Sequence, residues 1–190
     1  MLAHKDDNTL SEAEYLAGEQ VAKERHEYVD GRVYAMAGTS LRHNDIALNI
    51  AFILRAASRN TDCFVNVSDV KVRIESAKAF YYPDVVASCE RSDNEAYYLD
   101  SPCLIVEVTS KSTAWKDQHE KVVAYQKLAS LQTYLIVAQD TVQVTVYFRD
   151  ETGAWDVALY DNLEQMINLP CPKTPLRLLE IYEAIHFRQD

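Results

Sequence analysis

Two carboxylates set inside apolar, strand-forming runs restrict what this chain can fold into. Asp84 lies in Tyr81-Tyr82-Pro83-Asp84-Val85-Val86-Ala87, and Glu107 in Cys103-Leu104-Ile105-Val106-Glu107-Val108. Runs that are apolar on both faces read as central strands of a sheet covered above and below. A charge in such a strand is costly unless a cation or a hydrogen-bond network meets it. The pair therefore predicts either a metal ion shared between the two acids or buried ion pairs with Lys or Arg.

The rest of the chain reads as an α/β arrangement around those strands. Thr9-Leu10-Ser11-Glu12 fits a capping box, so a first helix is expected from about Leu10 to Lys23. His26 to Tyr34 reads as a hairpin turning at Asp30-Gly31. Ile46, Ile50, Ile53 and Leu54 recur at helical spacing in a second helix, Leu41 to Ala57. Strands are expected at Phe64–Ile74, Tyr81–Cys89 and Cys103–Val108, with Glu90–Ser101 a polar loop. Ser110, Ser112 and Thr113 offer capping hydroxyls to a helix from about Ala114 to Leu128. Strands follow at Tyr134–Ala138, Val142–Phe148 and Gly153–Tyr160, and Thr174-Pro175 opens a last helix ending near His186. Short connections predict antiparallel pairs, and the helical crossover after Val108 a parallel pair, giving a mixed sheet in one domain over residues 1–190.

Several chemistries find no residues to carry them. Four glycines leave no phosphate-cradling loop or dinucleotide fingerprint, and there is no Gly-x-Ser-x-Gly elbow. His26-Glu27 has no second histidine at zincin spacing. Cys63, Cys89, Cys103 and Cys171 form no Cys-x-x-Cys pair and read as small buried hydrophobes of a reducing compartment, the cytoplasm. No apolar run approaches the ~20 residues that span a bilayer, and the first residues lack a signal peptide's apolar core. A net charge of −10 opposes indiscriminate nucleic-acid binding. A local basic face remains open, however, because Arg42, Arg55 and Arg59 share a helix opposed only by Asp45.

Carboxylates and lysines are the reagents left. Asp84 and Glu107 suit a hard ion such as magnesium, commonly held by one or two carboxylates with waters and phosphate oxygens. Lys121, roughly 12 Å along the helix after Thr113, is placed to return toward Glu107. Spacing alone favours a surface pair with Asp117 at i−4. Glu27 adds an acid near the Asp-Gly turn, solvated by default. His43 near the start of the second helix reads first as a packing residue, and Trp115 and Trp155 as core or rim.

Several segments together resemble a known family. They are residues 27–38, Arg42-His43-Asn44, Tyr82-Pro83-Asp84-Val85-Val86, residues 104–113, and Asp117 through Glu120-Lys121 to Tyr125. Pro83-Asp84 followed by Glu107-Val108-Thr109 resembles the PD-(D/E)XK signature of restriction-endonuclease-like proteins. The ordered set, covering about Ser11 to Asp150, is similar to the Uma-two family of bacterial endonucleases. The resemblance implies a restriction-endonuclease-like mixed β-sheet flanked by helices, with an αβββαβ core and extra strands. It implies Asp84 and Glu107 as metal ligands, the Val108 carbonyl as a further ligand, and Glu27 as an additional site acid. Thr109 stands where the superfamily signature has lysine; the resemblance implies that Lys121 supplies that amine, with Lys111 a competing candidate. The function implied is a Mg²⁺- or Mn²⁺-dependent endonuclease hydrolysing phosphodiester bonds of DNA, with RNA undistinguished and a homodimer expected. The alternative is a catalytically silent module on the same fold that binds nucleic acid or a protein partner.

Overall fold

Ser11 and Glu14 close the first helix of a computed structural model that describes residues 9–90, 97–109 and 115–187. The Glu14 N–H donates to Ser11 Oγ at 3.3 Å, and the Glu14 carboxylate accepts from the Ser11 N–H at 2.8 Å. This box opens α1 (Glu12–Glu19), which stops short of Lys23. β1 (His26–Val29) and β2 (Arg32–Ala35) form the expected hairpin. Asp30 and Gly31 turn it with φ of 43° and 90°, and an added Cβ on Gly31 would come 2.8 Å from Thr9. Ser40 caps α2 (Leu41–Ala57), whose buried face is Ile46, Ala47, Ile50 and Leu54.

The two long strands expected next are each broken in half. β3 (Phe64–Val67) and β4 (Lys71–Ile74) replace the first; β5 (Ala79–Tyr81) and β6 (Val85–Ser88) replace the second. Ser68 takes a positive φ of 50°, and Pro83 has no N–H to continue a ladder. The breaks lie side by side, the Ser68 N–H donating to the Asp84 carbonyl at 3.1 Å. One hairpin thus spans two sheets: β4 and β5 join β1 and β2, while β3 and β6 pair in the other sheet.

The segment expected as loop contains β7 (Tyr98–Leu99), parallel to β4. Then come β8 (Leu104–Thr109), α3 (Trp115–Tyr125), β9 (Thr133–Ala138), β10 (Val144–Arg149) and β11 (Trp155–Tyr160). β8 and β9 are parallel across the α3 crossover, as expected. The sheets run β2-β1-β5-β4-β7 and β11-β10-β9-β8-β6-β3. Ser110, Lys111, Ser112 and Thr113 lie outside the described residues.

The C-terminal expectation needs correction. Thr174-Pro175 does not open a helix. It lies in β13 (Lys173–Arg177), paired with an unexpected β12 (Met166–Pro170). Alternation decides it: Ile167, Leu169 and Leu176 are buried between exposed neighbours, a period-two pattern that a helix cannot bury. Only α4 (Leu178–Ile181) is helical there.

The six-stranded sheet is covered on both faces. Ile46, Ile50 and Leu54 of α2, with α4 and the β12–β13 hairpin, pack against Val85, Ala87, Leu104 and Val106. Ala124 and Tyr125 of α3 pack on the other face against Val86, Ile105 and Tyr134. Behind α3, Arg149 donates to the carbonyls of Leu131 at 3.0 Å, Leu128 at 3.3 Å and Gly153 at 2.8 Å. The Trp155 indole donates to the Gln126 carbonyl at 3.2 Å, and the guanidinium lies 4.6 Å from its ring centroid.

The cysteines are not unpaired hydrophobes. Cys63 bonds to Cys89 and Cys103 to Cys171. Strand pairing sets Cys63 beside Cys89, and the unexpected hairpin delivers Cys171, so neither pairing was legible in spacing.

Leu135, fully buried on central strand β9, should lose about 2–5 kcal/mol of stability on change to Ala. Leu159→Ala on edge strand β11, 57% exposed, should change stability by no more than about 0.5 kcal/mol. Urea denaturation of both variants checks the assignment of centre and edge.

Candidate active site

The break in the bent hairpin is where the acids meet. β6 and β8 pair antiparallel with Val85 opposite Val106, so one residue further Asp84 stands opposite Glu107. Because β6 has ended, the Asp84 carboxylate supplies the acceptor that a longer strand would have offered: its Oδ2 takes the Val108 N–H at 2.7 Å. Asp84 is therefore not a mid-strand residue, as the apolar run suggested, but the hinge between two strands.

Glu107 projects toward α3, on the same face as Ile105. Its Oε1 accepts from Lys121 Nζ at 3.1 Å and from the Tyr125 hydroxyl at 2.9 Å. Lys121 is only 17% exposed and lies 2.7 Å from Glu27 Oε1, so it is a buried bridge and not a surface residue facing water. One ammonium thus joins Glu27 of the five-stranded sheet to Glu107 of the six-stranded sheet. The Tyr81 ring centroid sits 5.2 Å from the same nitrogen. Three of the residues singled out from the sequence are joined through Lys121, which contacts both Glu27 and Glu107. Asp84 is held at the neighbouring Val108 N–H, close enough for its charge to act on Glu107.

Two further residues belong to the site. His43, at the first turn of α2, places Nε2 3.2 Å from Asp84 Oδ2. Tyr125, one helical turn beyond Lys121, holds Glu107. Neither stood out in the sequence: His43 read first as packing, and Tyr125 as one aromatic among twelve tyrosines. The i, i+4 spacing of Lys121 and Tyr125, one face of a helix, was the available signal.

Electrostatics follow from this crowding. Burial pushes Glu107 up to about 7; Lys121 opposes the rise, while Asp84 and Glu27 reinforce it. Burial would lower Lys121, but Glu107 and Glu27 outweigh it and hold the ammonium above its ordinary range. Burial likewise works against charge on His43, yet the hydrogen bond and charge of Asp84 raise its pKa, helped by the Val108 backbone and Glu107. Burial, then the Glu107 charge, keeps the Tyr125 hydroxyl protonated.

The donor set is compatible with a hard divalent ion. It consists of carboxylate oxygens and a strand carbonyl, the ligand types that magnesium and manganese take. Among the described residues, the hydrogen bonds to Glu107 arrive at Oε1 and those to Asp84 at Oδ2. Oε2 and Oδ1 are the oxygens left to offer.

A mixed sheet flanked by helices, with this hairpin–crossover core, is a restriction-endonuclease-like fold. It matches a crystal structure described as "a putative nuclease belonging to DUF820 from Anabaena variabilis", with TM-score 0.74 and 13% identity over 91% of this chain and 97% of that chain. The particular family follows from sequence. The model of Uma2, described as "Putative restriction endonuclease", matches residues 12–175, and the chain belongs to that family. Two Synechocystis relatives are similar along most of their length. "Uncharacterized protein slr1290" is 33% identical over 83% of this chain and 83% of its own. "Uncharacterized protein sll1609" is 32% identical over 77% and 84%. Family membership places the chain among nuclease-like proteins.

A pH effect follows from the raised Glu107. Between about 4.5, its ordinary value, and about 7, the folded state keeps a proton that the unfolded chain has released. The fold binds more protons in that window, so stability falls as pH rises through it. His43 acts in the same direction at higher pH: its contribution is present below 6.5 and lost as pH climbs past its raised folded value. Denaturant titrations of metal-free protein at pH 5, 6 and 7 should show the decline, and Glu107→Gln should flatten it. A rise in stability across that range would contradict the assignment.

Proposed function

We propose that this protein is a divalent-metal-dependent phosphodiesterase that cleaves DNA internally. The observation carrying the proposal is the opposition of Asp84 and Glu107 at the sheet junction, with Lys121 bridging Glu107 to Glu27. In this reading Asp84, Glu107 and the Val108 carbonyl hold Mg²⁺ or Mn²⁺, which when bound would polarise the phosphate and acidify a water. Lys121 orients Glu107 and favours its ionised form against burial, and offers positive charge to the phosphoryl oxygens as negative charge builds there. Glu27 fixes the ammonium from the opposite sheet. His43, whose protonated form Asp84 favours, holds Asp84 in place from the α2 side. Lys111, the competing amine, lies outside the described residues.

The same reading takes the chain as a single domain over residues 1–190 acting as a homodimer in the cytoplasm, where a reducing medium would hold the four cysteines as thiols and not as the Cys63–Cys89 and Cys103–Cys171 disulfides. No helix among the described residues is long and apolar enough to cross a membrane. Support for a dimer comes from β11, the edge of the six-stranded sheet, where Val157 and Leu159 are exposed. Support for a nucleic-acid substrate on an acidic protein comes from exposed Arg55 in the last turn of α2, the helix that holds His43, and exposed Arg59 just beyond its end. RNA is the second polymer to assay.

The second reading, a binding module without catalysis, is favoured by one observation: Lys121 already pairs with both Glu107 and Glu27 without a metal. Incubation with supercoiled and linear DNA, and with RNA, in Mg²⁺ or Mn²⁺ separates the two. Cleavage should require the ion and fall at least about 100-fold in Asp84→Ala and Glu107→Ala. Cleavage undiminished in either variant would sink the nuclease assignment. DNA binding without cleavage in any metal would establish the second reading.

A further inference from the structure

All four cysteines of the chain meet at one corner of the molecule, brought there by four separate elements. Cys63 immediately precedes β3, Cys89 immediately follows β6, Cys103 immediately precedes β8, and Cys171 lies in the β12–β13 turn. The bonded pairs are not independent of one another. Cys89 Sγ is 3.1 Å from Cys171 Sγ and 3.9 Å from Cys103 Sγ, so it touches both members of the other pair. The sulfurs of Cys63, Cys89 and Cys171 all lie within 4.8 Å of each other.

Two disulfides have no need to share a corner, because each requires only its own partner. Three sulfurs packed this closely, with Cys103 Sγ bonded to Cys171 and 3.9 Å from Cys89, suit a single atom that all four reach once the sulfur–sulfur bonds are reduced. A tetrahedral zinc ion with thiolates at ~2.3 Å sets its sulfurs about 3.8 Å apart, the scale of the contacts across this cluster. Cys103 and Cys171 are buried and the other two half-buried, so four protein ligands would close the coordination sphere, as structural zinc sites require. An all-sulfur set also selects a soft or borderline ion and rejects the hard ion suited to the acids.

We propose that, with its cysteines reduced, the chain binds one structural zinc ion through Cys63, Cys89, Cys103 and Cys171. Each thiol gives its proton to solvent as its sulfur bonds to the metal, and no electrons are exchanged. The paired disulfides are the oxidised, metal-free state of the same cluster. The ion ties the β12–β13 hairpin to the end of the central sheet. It lies at the opposite end of β6 and β8 from Asp84 and Glu107: Cys89 is five positions beyond Asp84, about 17 Å of extended chain. The site is therefore independent of the nuclease proposal.

The test uses the full chain, reduced with a phosphine, stripped of metal and titrated with Co²⁺ without oxygen. The expected result is one equivalent bound with thiolate-to-cobalt charge-transfer and tetrahedral ligand-field bands, displaced by one equivalent of Zn²⁺, and a higher thermal midpoint with zinc. Cys171→Ser and the less buried Cys63→Ser should each weaken binding by more than about tenfold. Asp84→Asn should leave the bands unchanged, which separates this site from the acids. Reduced protein with four titratable thiols but no thiolate–cobalt band overturns the proposal, as do bands that persist undiminished in both cysteine variants.

Discussion

One ammonium joins acids that belong to different sheets, and the geometry of the site depends on it. Lys121 lies within 3.1 Å of Glu107 and 2.7 Å of Glu27, both little exposed. Three carboxylates face this lysine and one imidazole, so with all of them ionised the cluster holds a surplus negative charge. The fold relieves part of that surplus by raising Glu107, the most crowded of the acids. A proton or a metal ion relieves the same surplus. This gives the site one electrostatic condition that two different occupants satisfy.

The acids converge because the hairpin changes sheets where it does. Had Phe64–Ile74 and Tyr81–Cys89 run straight, Asp84 would sit mid-ladder with its neighbours' backbone groups already paired. The kink at Ser68 and the missing donor of Pro83 end β6 one residue early. The side chain of Asp84 then completes the ladder by accepting from Val108. Structural satisfaction falls on one oxygen of the carboxylate: among the described residues, Oδ2 takes both the backbone N–H and His43.

Much of this was legible in the sequence. Cys103–Val108 and the parallel crossover followed from a continuous apolar run and a helix-length connection. Alternation put Asp84 on the face of Val86 and Glu107 on that of Ile105, but the register between the two strands, with Val85 opposite Val106, was not legible. The resemblance moved Lys121 from the surface to the site, which spacing alone could not do, since Asp117 was an equally good partner on paper. Other features lacked a local signal. The sheet change at Pro83 was visible as a proline in a strand-like run, a feature that argues against a central strand, but the apolar neighbours outweighed it. At the C-terminus, Thr174-Pro175 fits a helix start and a strand equally well, and only the alternation of Ile167 and Leu169 decides between them. His43 and the cysteine pairings depend on contacts across 41 and 26–68 residues respectively, distances that no local pattern encodes.

The Arg149 clasp has a consequence for the chemistry on the far side of α3. Its planar fork gathers carbonyls from beyond the helix end and rests on Trp155, fixing how far the helix lies from the sheet beneath it. Lys121 rides on that helix, so its reach toward Glu27 is set by a residue that touches none of the acids. Lysine at position 149 would preserve the charge but could not grip several carbonyls in one plane. The helix would then be free to tilt, and the spacing of Lys121 from Glu27 and Glu107 would drift while each of those residues stayed the same.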